Sequence, residues 1–322
     1  MSITQARRPR GIPTGGQFAP TAHAEASLSL DGDKPQTKFG DLSGVDRVRA
    51  MQEEIEHAIE EMSDTEGWMQ FLDTMSRFHH YSFGNAMLIL SQRRDATAVA
   101  GFNDWKNKFG RTVKKGEKAI WILAPMVKNT KGTDEESGRE IEERRVIGFR
   151  AVPVFDVSQT EGDPLPESPA IARQSLDGAA PDGMVPALTS FIEAQGFAIS
   201  YEPTGDAGGY TSFGSRRVVI SSDRSEREQA RTLAHEAAHI VLDHGKRIAE
   251  YHVDGARPDM EIEAESVAYI VGRQLGLDEI GGASLNYVDS WAQGDKDRVK
   301  KTANAVVAGA RKILDAVASA EV

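Results

Sequence analysis

One segment of this chain, Leu233–Leu242, limits the possible folds more than any other, because it is apolar at all but three positions. The three exceptions are His235, Glu236 and His239. Such a pattern predicts a buried helix, over Glu226–His244. Ser225 and Glu228 fit a capping box that starts this helix, and Gly245 suits its end. Burying two imidazoles and a carboxylate without partners costs several kcal/mol, so the helix must bring a partner into the interior.

The spacing of the three polar residues indicates that this partner is a metal ion. His235 and His239 are four positions apart, so they lie one turn apart on one helix face and can bind one Zn²⁺. Glu236 is then placed to act as general base toward a water molecule. The alternative is a pair of core histidines satisfied by hydrogen bonds. We therefore predict a zinc-dependent hydrolase, with Mn²⁺ or Fe²⁺ left open as the metal used in the cell.

A catalytic zinc site needs a third protein ligand, and the next predicted helix offers three glutamates. They are Glu261, Glu263 and Glu265. Glu261 and Glu265 lie on or beside the apolar stripe of that helix, whereas Glu263 is expected to face solvent. We choose Glu261 as the ligand and Glu265 as the group that orients a zinc histidine, and the reverse assignment stays open. His252 and Asp243 are outside candidates.

A strand just before the motif helix, Arg217–Ser221, is a candidate border of the catalytic cleft. An extended peptide could pair with it, although core packing explains this strand equally well. Tyr210 could line the same cleft or be an ordinary turn residue.

Composition is that of a folded protein with two domains. A chain of 322 residues exceeds one small core. No apolar run approaches the ~18–20 residues that span a bilayer, so no membrane partner is expected. The absence of cysteine excludes disulfides and thiol catalysis and fits a cytoplasmic protein. The predicted parts are a disordered tail (1–39), a first domain (40–159), a linker (160–183) and a second domain (184–322).

Periodicity predicts an α+β first domain and a mostly helical second domain with a small sheet. The first domain has predicted helices at Val45–Met62, Gly67–Arg77, Asn85–Gln92 and Phe102–Lys108, and predicted strands at Ala119–Ala124 and Val146–Phe155. The polar stretch Lys128–Arg144 between those strands is expected to be an exposed hairpin tip or loop. The second domain has a predicted helix at Val185–Gln195, a strand near Phe197–Tyr201 and a last helix at Asn304–Leu314.

The first domain contains a basic segment, Ser91–Lys118, in a chain whose net charge is −11. It has eight basic residues against three acidic ones, and aromatic residues such as Phe102, Trp105 and Phe109 are interleaved with them. Lysines that follow a phosphate backbone, with rings that stack on unpaired bases, are typical of proteins that bind single-stranded nucleic acid. A solvated lysine-rich face over core aromatics is the alternative.

Two sequence patterns in the second domain resemble a known family. His235-Glu-Ala-Ala-His239, followed by Glu261-Ile-Glu-Ala-Glu-Ser-Val-Ala268, resembles the ImmA/IrrE group of gluzincin peptidases. That group carries a Glu-x-Glu-Ala-Asn pattern after its zinc helix. The resemblance implies that the second domain is zincin-like and that Glu261 is the third ligand. This chain departs from the pattern at Glu265, where the group usually has Asn.

Four further motifs together resemble the N-terminal domain of ArdC-type antirestriction proteins. They are Tyr81-Ser-Phe-Gly-Asn-Ala-Met-Leu88, Gly101-Phe-Asn-Asp-Trp105, Gly110-Arg-Thr-Val-Lys-Lys-Gly-Glu-Lys118 and Val154-Phe-Asp-Val-Ser-Gln-Thr-Glu-Gly162. That domain is associated with binding of single-stranded DNA, and a metallopeptidase-like domain follows it in the family. The resemblance covers about residues 40–320 and implies a protein that protects incoming plasmid or phage DNA from restriction.

The resemblance also implies DNA-contacting residues in the first domain. They are Asn85, Trp105, Arg111, Lys114, Lys115 and Lys118. Asn85 could equally be structural, and Trp105 could be a core residue.

Three functions are compatible with these patterns. The first is an antirestriction protein with an active zinc peptidase domain that acts on a protein or peptide. The second is a DNA-binding protein whose zinc site is structural or only weakly hydrolytic. The third is a regulatory protease of the ImmA type, which cleaves a repressor and uses its basic domain to find DNA-bound substrates.

Overall fold

The N-terminal part of the protein is built from helices that cover a β-ribbon. The computed structural model describes residues 39–133, 140–165, 179–247, 256–277, 288–292 and 294–320. The first helices are α1 (Gly44–Glu61), α2 (Thr65–Phe78), α3 (Phe83–Gln92) and α4 (Phe102–Asn107). Side chains of Asp64 and Ser82 accept hydrogen bonds at the starts of α2 and α3. The predicted tail lies outside the described residues except for Phe39, which is buried in a one-turn 3-10 helix.

The ribbon consists of β3 (Ile120–Thr133) and β4 (Glu140–Asp156), which pair antiparallel. A third strand, β1 (Val99–Gly101), lies on the other side of β4. The prediction of a hairpin tip or loop over Lys128–Arg144 agrees with the antiparallel pairing of β3 and β4, but the strands are longer than expected, because they stay paired as far as Thr133 and Glu140. Main-chain pairing can continue where the sequence shows no apolar alternation, so periodicity located only the inner half of each strand.

A short second sheet joins β2 (Thr112–Val113) to β5 (Thr160–Glu161). Thr160 and Glu161 were expected to begin the linker, and that detail is wrong because both pair with β2. Residues 166–178 of the predicted linker lie outside the described residues.

The C-terminal part is mostly helical around a small mixed sheet, which confirms the predicted α+β class. The sheet has the order β6-β8-β7, with β6 parallel and β7 antiparallel to the central β8. Its strands are β6 (Ala198–Glu202), β7 (Gly209–Ser212) and β8 (Arg217–Ser221). The helices are α5 (Met184–Ala194), α6 (Glu226–Val241), α7 (Ala256–Leu275), α8 (Val288–Ala292) and α9 (Lys296–Ala320). None of the helices within the described ranges has the length and apolar composition needed to cross a bilayer.

The predicted capping box at the start of α6 is confirmed, but the predicted end is wrong. Ser225 accepts from the Glu228 amide and the Glu228 side chain accepts from the Ser225 amide. The helix ends at Val241, and Asp243 adopts the left-handed conformation (φ 57°) that was expected of Gly245. Gly245 instead lies in a 3-10 turn, His244–Arg247, where a Cβ would overlap the ring of Phe213.

The N-terminal helices share a core with the C-terminal ones, and Trp68 is at the centre of that contact. Its indole is fully buried and its Nε1–H donates to Ser266 Oγ at 3.0 Å. The ring packs against Phe71 at 4.9 Å and edge-on to Trp291 at 5.5 Å between ring centroids. Tyr269 makes a parallel link, because its hydroxyl donates to Asp73 at 2.7 Å. The helix that carries the candidate ligand Glu261 is therefore held from both halves of the chain.

Replacing Trp68 with alanine should lower the free energy of unfolding by about 3–5 kcal/mol, the usual cost of removing a buried aromatic ring. Because Ser266 and Trp291 lose contacts as well, the loss should be felt in both halves and leave a single unfolding transition. Denaturant unfolding followed by circular dichroism measures this change. A loss below about 1 kcal/mol would contradict the proposed shared core.

Candidate metal centre

Three candidate ligand atoms from α6 and α7 lie close to one another. His235 Nε2 and His239 Nε2 are 3.0 Å apart, and Glu261 Oε2 lies 3.6 Å and 3.9 Å from them. A tetrahedral zinc site with bonds of about 2.05 Å places its ligand atoms ~3.3 Å from one another, so the observed triangle has the right size. Among the described residues, this is the one group of three histidine or carboxylate side chains whose ligand atoms lie close enough together to hold a metal ion.

The orientation of the two imidazoles fits a metal better than a hydrogen bond between them. The Nδ1 atoms of His235 and His239 face acceptors, Glu265 and His244 respectively, so each can carry its proton on Nδ1. Both Nε2 atoms then present lone pairs toward each other at 3.0 Å. A cation between the two lone pairs removes that repulsion, and nitrogen and oxygen donors of this kind suit Zn²⁺ and neighbouring divalent metals.

The surrounding charges also favour a cation at this point. Burial alone lowers the pKa of His235, but hydrogen bonds to Glu261 and Glu265 outweigh it and raise the pKa to about 10. Burial, together with His235 and His244, lowers the pKa of the neighbouring His239. The acidic neighbours of His235 thus stabilise one positive charge at this pair, and a metal ion bound to Nε2 would have to replace the proton on His235.

Glu265 lies behind His235, on the side away from the ligand triangle. Its Oε2 is 3.1 Å from His235 Nδ1, and its other oxygen accepts from Arg231. Burial raises the pKa of Glu265, but the contacts with His235 and Arg231 more than reverse this, so the group stays ionised. This arrangement favours Glu261 as ligand and Glu265 as the group that orients His235.

Glu236 is held next to the ligand triangle by a strand that sequence reasoning missed. Thr211 Oγ1, on β7, donates to Glu236 Oε2 at 2.6 Å. The strand can approach α6 because Gly208 and Gly209 carry no Cβ, which would clash with the Thr232 side chain. Burial raises the pKa of Glu236, and this effect exceeds the lowering by His235 and the Thr211 hydroxyl, so the pKa is raised overall.

The strand that borders the centre is β7 rather than β8. The hypothesis that a peptide pairs with Arg217–Ser221 is wrong, because β8 is hydrogen-bonded to β6 on one side and β7 on the other. β7 lies at one edge of the sheet and carries Thr211 toward Glu236. Tyr210 is half-exposed and, by strand alternation, points to the opposite face from Thr211. Four residues of low apolarity gave too weak a signal to predict this strand.

Glu263 was expected to face solvent, and that prediction is wrong because its side chain is only 2% exposed. Its Oε2 lies 2.9 Å from His244 Nε2 and accepts from Arg247 at 2.6 Å. The pKa of Glu263 is raised by burial but is lowered overall by these two hydrogen bonds. His244 was not singled out from the sequence. The outside candidate Asp243 is exposed and pairs with Lys246, and His252 lies outside the described residues.

Three of the residues expected to contact DNA make structural contacts instead of facing outward. The Asn85 amide donates to Leu123 O at 2.9 Å and accepts from Leu123 N at 2.8 Å. Trp105 is buried and its Nε1–H donates to Phe155 O. The buried guanidinium of Arg111 donates to Thr160 Oγ1 at 2.7 Å and to Gly162 O at 3.1 Å.

The remaining three lysines lie on a well-anchored turn, Lys114–Lys118, which we call the basic turn. Lys114 N donates to Gln159 O at 2.9 Å, and the buried Gln159 side chain donates to Lys118 O at 2.7 Å. Lys114 Nζ also donates to Ser158 O, whereas Lys115 and Lys118 are exposed. Gly116 turns the chain at positive φ. The turn therefore presents Lys115 and Lys118 on a fixed backbone.

Exposed aromatic rings in the basic segment are phenylalanines rather than Trp105. Phe102 is 52% and Phe109 is 43% exposed. Phe109 packs partly on Trp105, at 5.1 Å between ring centroids, so its position is fixed while one face stays accessible. These are the rings that can stack on a base.

Family models match segments in both the N-terminal and the C-terminal part of the chain. Residues 46–155 match the family model of the N-terminal domain of anti-restriction factor ArdC. Residues 192–271 match the IrrE N-terminal-like domain of the M78 peptidases. The resemblance noted in the sequence is thus confirmed: the chain combines an ArdC-type N-terminal domain with an IrrE-like domain.

Solved structures of the antirestriction ArdC protein from the R388 plasmid are similar to this chain. The metal-free structure is 22% identical, with 73% of this chain and 85% of that chain covered and a TM-score of 0.46. The Mn(II)-bound structure is also 22% identical, with 73% and 84% covered and a TM-score of 0.44. A search of curated proteins gave no match.

Proposed function

We propose that this protein is a cytoplasmic antirestriction protein that binds single-stranded DNA through its ArdC-type domain and hydrolyses peptide bonds at a zinc centre in its IrrE-like domain. The observation that carries the proposal is the convergence of His235, His239 and Glu261, with Glu236 held beside them by Thr211. The DNA partner is supported by the matched N-terminal domain and by the exposed lysines of the basic turn.

The donor set favours a catalytic metal site over a structural one. Structural zinc sites are closed by four protein ligands, whereas catalytic sites have three and leave one position open. Within the described ranges, the cluster has three protein ligands, His235, His239 and Glu261. This difference argues against the alternative in which zinc only stabilises the fold.

A bound Zn²⁺ would supply Lewis-acid chemistry, polarising a substrate carbonyl and increasing the acidity of a water molecule. Glu236 would accept the proton of the attacking water and pass it to the leaving amine. The Thr211 hydroxyl occupies one oxygen of this carboxylate and so fixes its orientation, which leaves the second oxygen for the proton. Glu265 fixes the His235 ring in the same way from behind.

The edge of β7 that faces away from β8, which no described strand occupies, is the proposed docking site for an extended peptide. Its main chain is paired with β8 on one side, and Thr211 on this strand touches Glu236. A peptide that added as a further strand would run past the ligand triangle with its carbonyl groups held by main-chain hydrogen bonds. Such pairing binds the main chain of the peptide more than its side chains, so we expect substrates that vary in sequence.

For DNA, we propose that the basic turn binds the phosphate backbone and that Phe102 and Phe109 stack on bases. Lys115 and Lys118 are exposed on a turn anchored by Gln159, and the rings lie in the adjoining segment around α4. Asn85, Trp105 and Arg111 act through the structure they hold rather than by contact. Unpaired bases expose the faces that these rings need, so single strands should be preferred to duplex.

Changing both Lys115 and Lys118 to glutamate should weaken binding of a labelled single-stranded oligonucleotide by tenfold or more at low salt. Two phosphate contacts would be lost, so the slope of log affinity against log salt should fall by about 1.4. Fluorescence anisotropy over a salt series measures both quantities.

A matched control is the double change of Lys301 and Lys312, which are exposed on α9, to glutamate. It alters the net charge equally but should leave the salt slope unchanged. Equal losses in the two double variants would show that only overall charge matters, and a wild-type protein that binds duplex as tightly as single strand would overturn the proposed DNA partner.

A further inference from the structure

The ligand His239 is supported from behind by a chain of side chains that continues well beyond the ligand triangle. Its Nδ1 lies 2.7 Å from His244 Nδ1. The other ring nitrogen of His244, Nε2, lies 2.9 Å from Glu263 Oε2. Arg247 Nη1 donates to the same carboxylate oxygen at 2.6 Å. His244 and Glu263 are both 2% exposed, so water does not compete for these hydrogen bonds.

The donor and acceptor of each of these hydrogen bonds follow once the metal-binding atom of His239 is chosen. If His239 binds the metal through Nε2, its proton is on Nδ1, and the only acceptor at hydrogen-bond distance there is His244 Nδ1 among the described side chains. His244 must then be the neutral tautomer with its proton on Nε2, which donates to Glu263. Arg247 neutralises that carboxylate. In this series of hydrogen bonds His239 donates to His244, and His244 donates to Glu263, so each donor meets an acceptor.

The backbone shows how His244 is placed. The chain leaves α6 through Asp243 in the left-handed conformation and turns back into the 3-10 turn His244–Arg247. Gly245 lets this turn approach the ring of Phe213, where a Cβ would clash. As a result the rings of His239 and His244 meet at 73°, with centroids 4.9 Å apart. Both nitrogens of His244 are engaged, so it is not itself a metal ligand.

We propose that His244 is a positioning residue for the metal centre, which fixes His239 in the Nδ1–H tautomer and links it to the Glu263–Arg247 ion pair. The inference rests on the proposed metal site and adds a support that neither the motif nor the comparisons assign. It makes the two histidines unequal: His235 is backed directly by the carboxylate of Glu265, and His239 indirectly through a second imidazole.

The test compares metal binding by wild type, His244→Phe and His244→Asn. Phenylalanine keeps a ring of similar size without polar atoms, and it should weaken Zn²⁺ affinity by about 10–100-fold, as loss of such outer partners does. Asparagine restores an acceptor for His239 Nδ1–H and should recover part of this loss. Competition with a chromophoric chelator gives the affinities, and the visible spectrum of the Co²⁺ form should shift in His244→Phe and return toward wild type in His244→Asn.

A control variant separates positioning from general loss of packing. Tyr269→Phe removes a hydrogen bond to Asp73 from the same helix that carries Glu261 and Glu263, about two turns after Glu261. It should lower stability without changing Zn²⁺ affinity. Unfolding of each metal-free variant is measured alongside.

A wild-type measurement needs no substitution and serves if His244→Phe does not fold. Nitrogen-15 NMR of the zinc-loaded protein should show His244 with a proton on Nε2 and a bare Nδ1. A proton on Nδ1, or unchanged zinc affinity in His244→Phe, would overturn the positioning role while leaving the metal site standing. Failure of the wild type to bind any divalent metal would instead overturn both proposals.

Discussion

Replacing Glu261 with glutamine should lower the affinity for Zn²⁺ by about 10²–10³-fold, because one of three protein ligands loses its charge and much of its donor strength. This figure follows if the ~10–16 kcal/mol of a four-ligand zinc site is shared evenly, so that each ligand contributes ~2.5–4 kcal/mol. Glu261 Oε2 is the atom that completes the triangle with the two Nε2 atoms. Titration of the metal-free protein against a competing chelator measures the effect.

Glu193→Gln is the matched control, because Glu193 is exposed on α5 and its substitution removes one negative charge, as Glu261→Gln does. It should leave the affinity unchanged. If Glu265→Gln lowered affinity by more than Glu261→Gln, the roles of ligand and orienting group would have to be exchanged. Glu265 is instead expected to matter less, since it touches His235 on the side away from the triangle.

Replacing Glu236 with glutamine should reduce peptide hydrolysis by about 10²–10⁴-fold, the usual contribution of a general base, while Zn²⁺ affinity stays close to that of wild type. The amide can still accept from Thr211 but cannot take up a proton from water. A fluorescence-quenched peptide library provides a substrate whose sequence need not be known beforehand. Glu226→Gln, on the exposed first turn of the same helix, controls for the charge change.

The same Glu236→Gln variant separates the proposed functions. If it protects incoming DNA from restriction as well as wild type does, protection depends on DNA binding and not on hydrolysis. If protection is lost while binding of single-stranded DNA is kept, the peptidase is part of the protective function. Undiminished peptide hydrolysis in the variant would remove Glu236 from its proposed role.

The part of the centre that could be predicted from sequence depends on spacing within single helices. His235 and His239 lie on one face of α6 because they are four residues apart, and Glu261 and Glu265 share a face of α7 for the same reason. All the remaining positions of Leu233–Leu242 are apolar, which indicated that α6 is buried. Family resemblance in the residues after the motif pointed to the same ligand.

The part that could not be predicted depends on contacts across the chain. Glu263 lies opposite the apolar stripe that we assigned to α7, so it was expected to face water. In the structure α7 is buried on nearly all sides, and the polar partners of Glu263 come from the turn after α6. That turn exists because Asp243 adopts a positive φ, which no local pattern required.

The N-terminal domain shows the same division between local and long-range information. Helix positions followed from apolar periodicity to within a few residues, as with α1 and α3. The hydrogen-bond partners of Asn85 and Arg111 did not, because each side chain bonds to main chain that is distant in sequence, at Leu123 and at Thr160 and Gly162. A polar residue that serves a distant strand has the same sequence signature as one that serves a ligand.

The measurement that tests the central claim most directly is a crystal structure of the protein from crystals grown with Zn²⁺, with anomalous scattering recorded at the zinc absorption edge. We expect one strong peak, about 2.0–2.2 Å from His235 Nε2, His239 Nε2 and Glu261 Oε2, with one further position open to solvent. A peak bound by other side chains, or no peak at saturating Zn²⁺, would contradict the account.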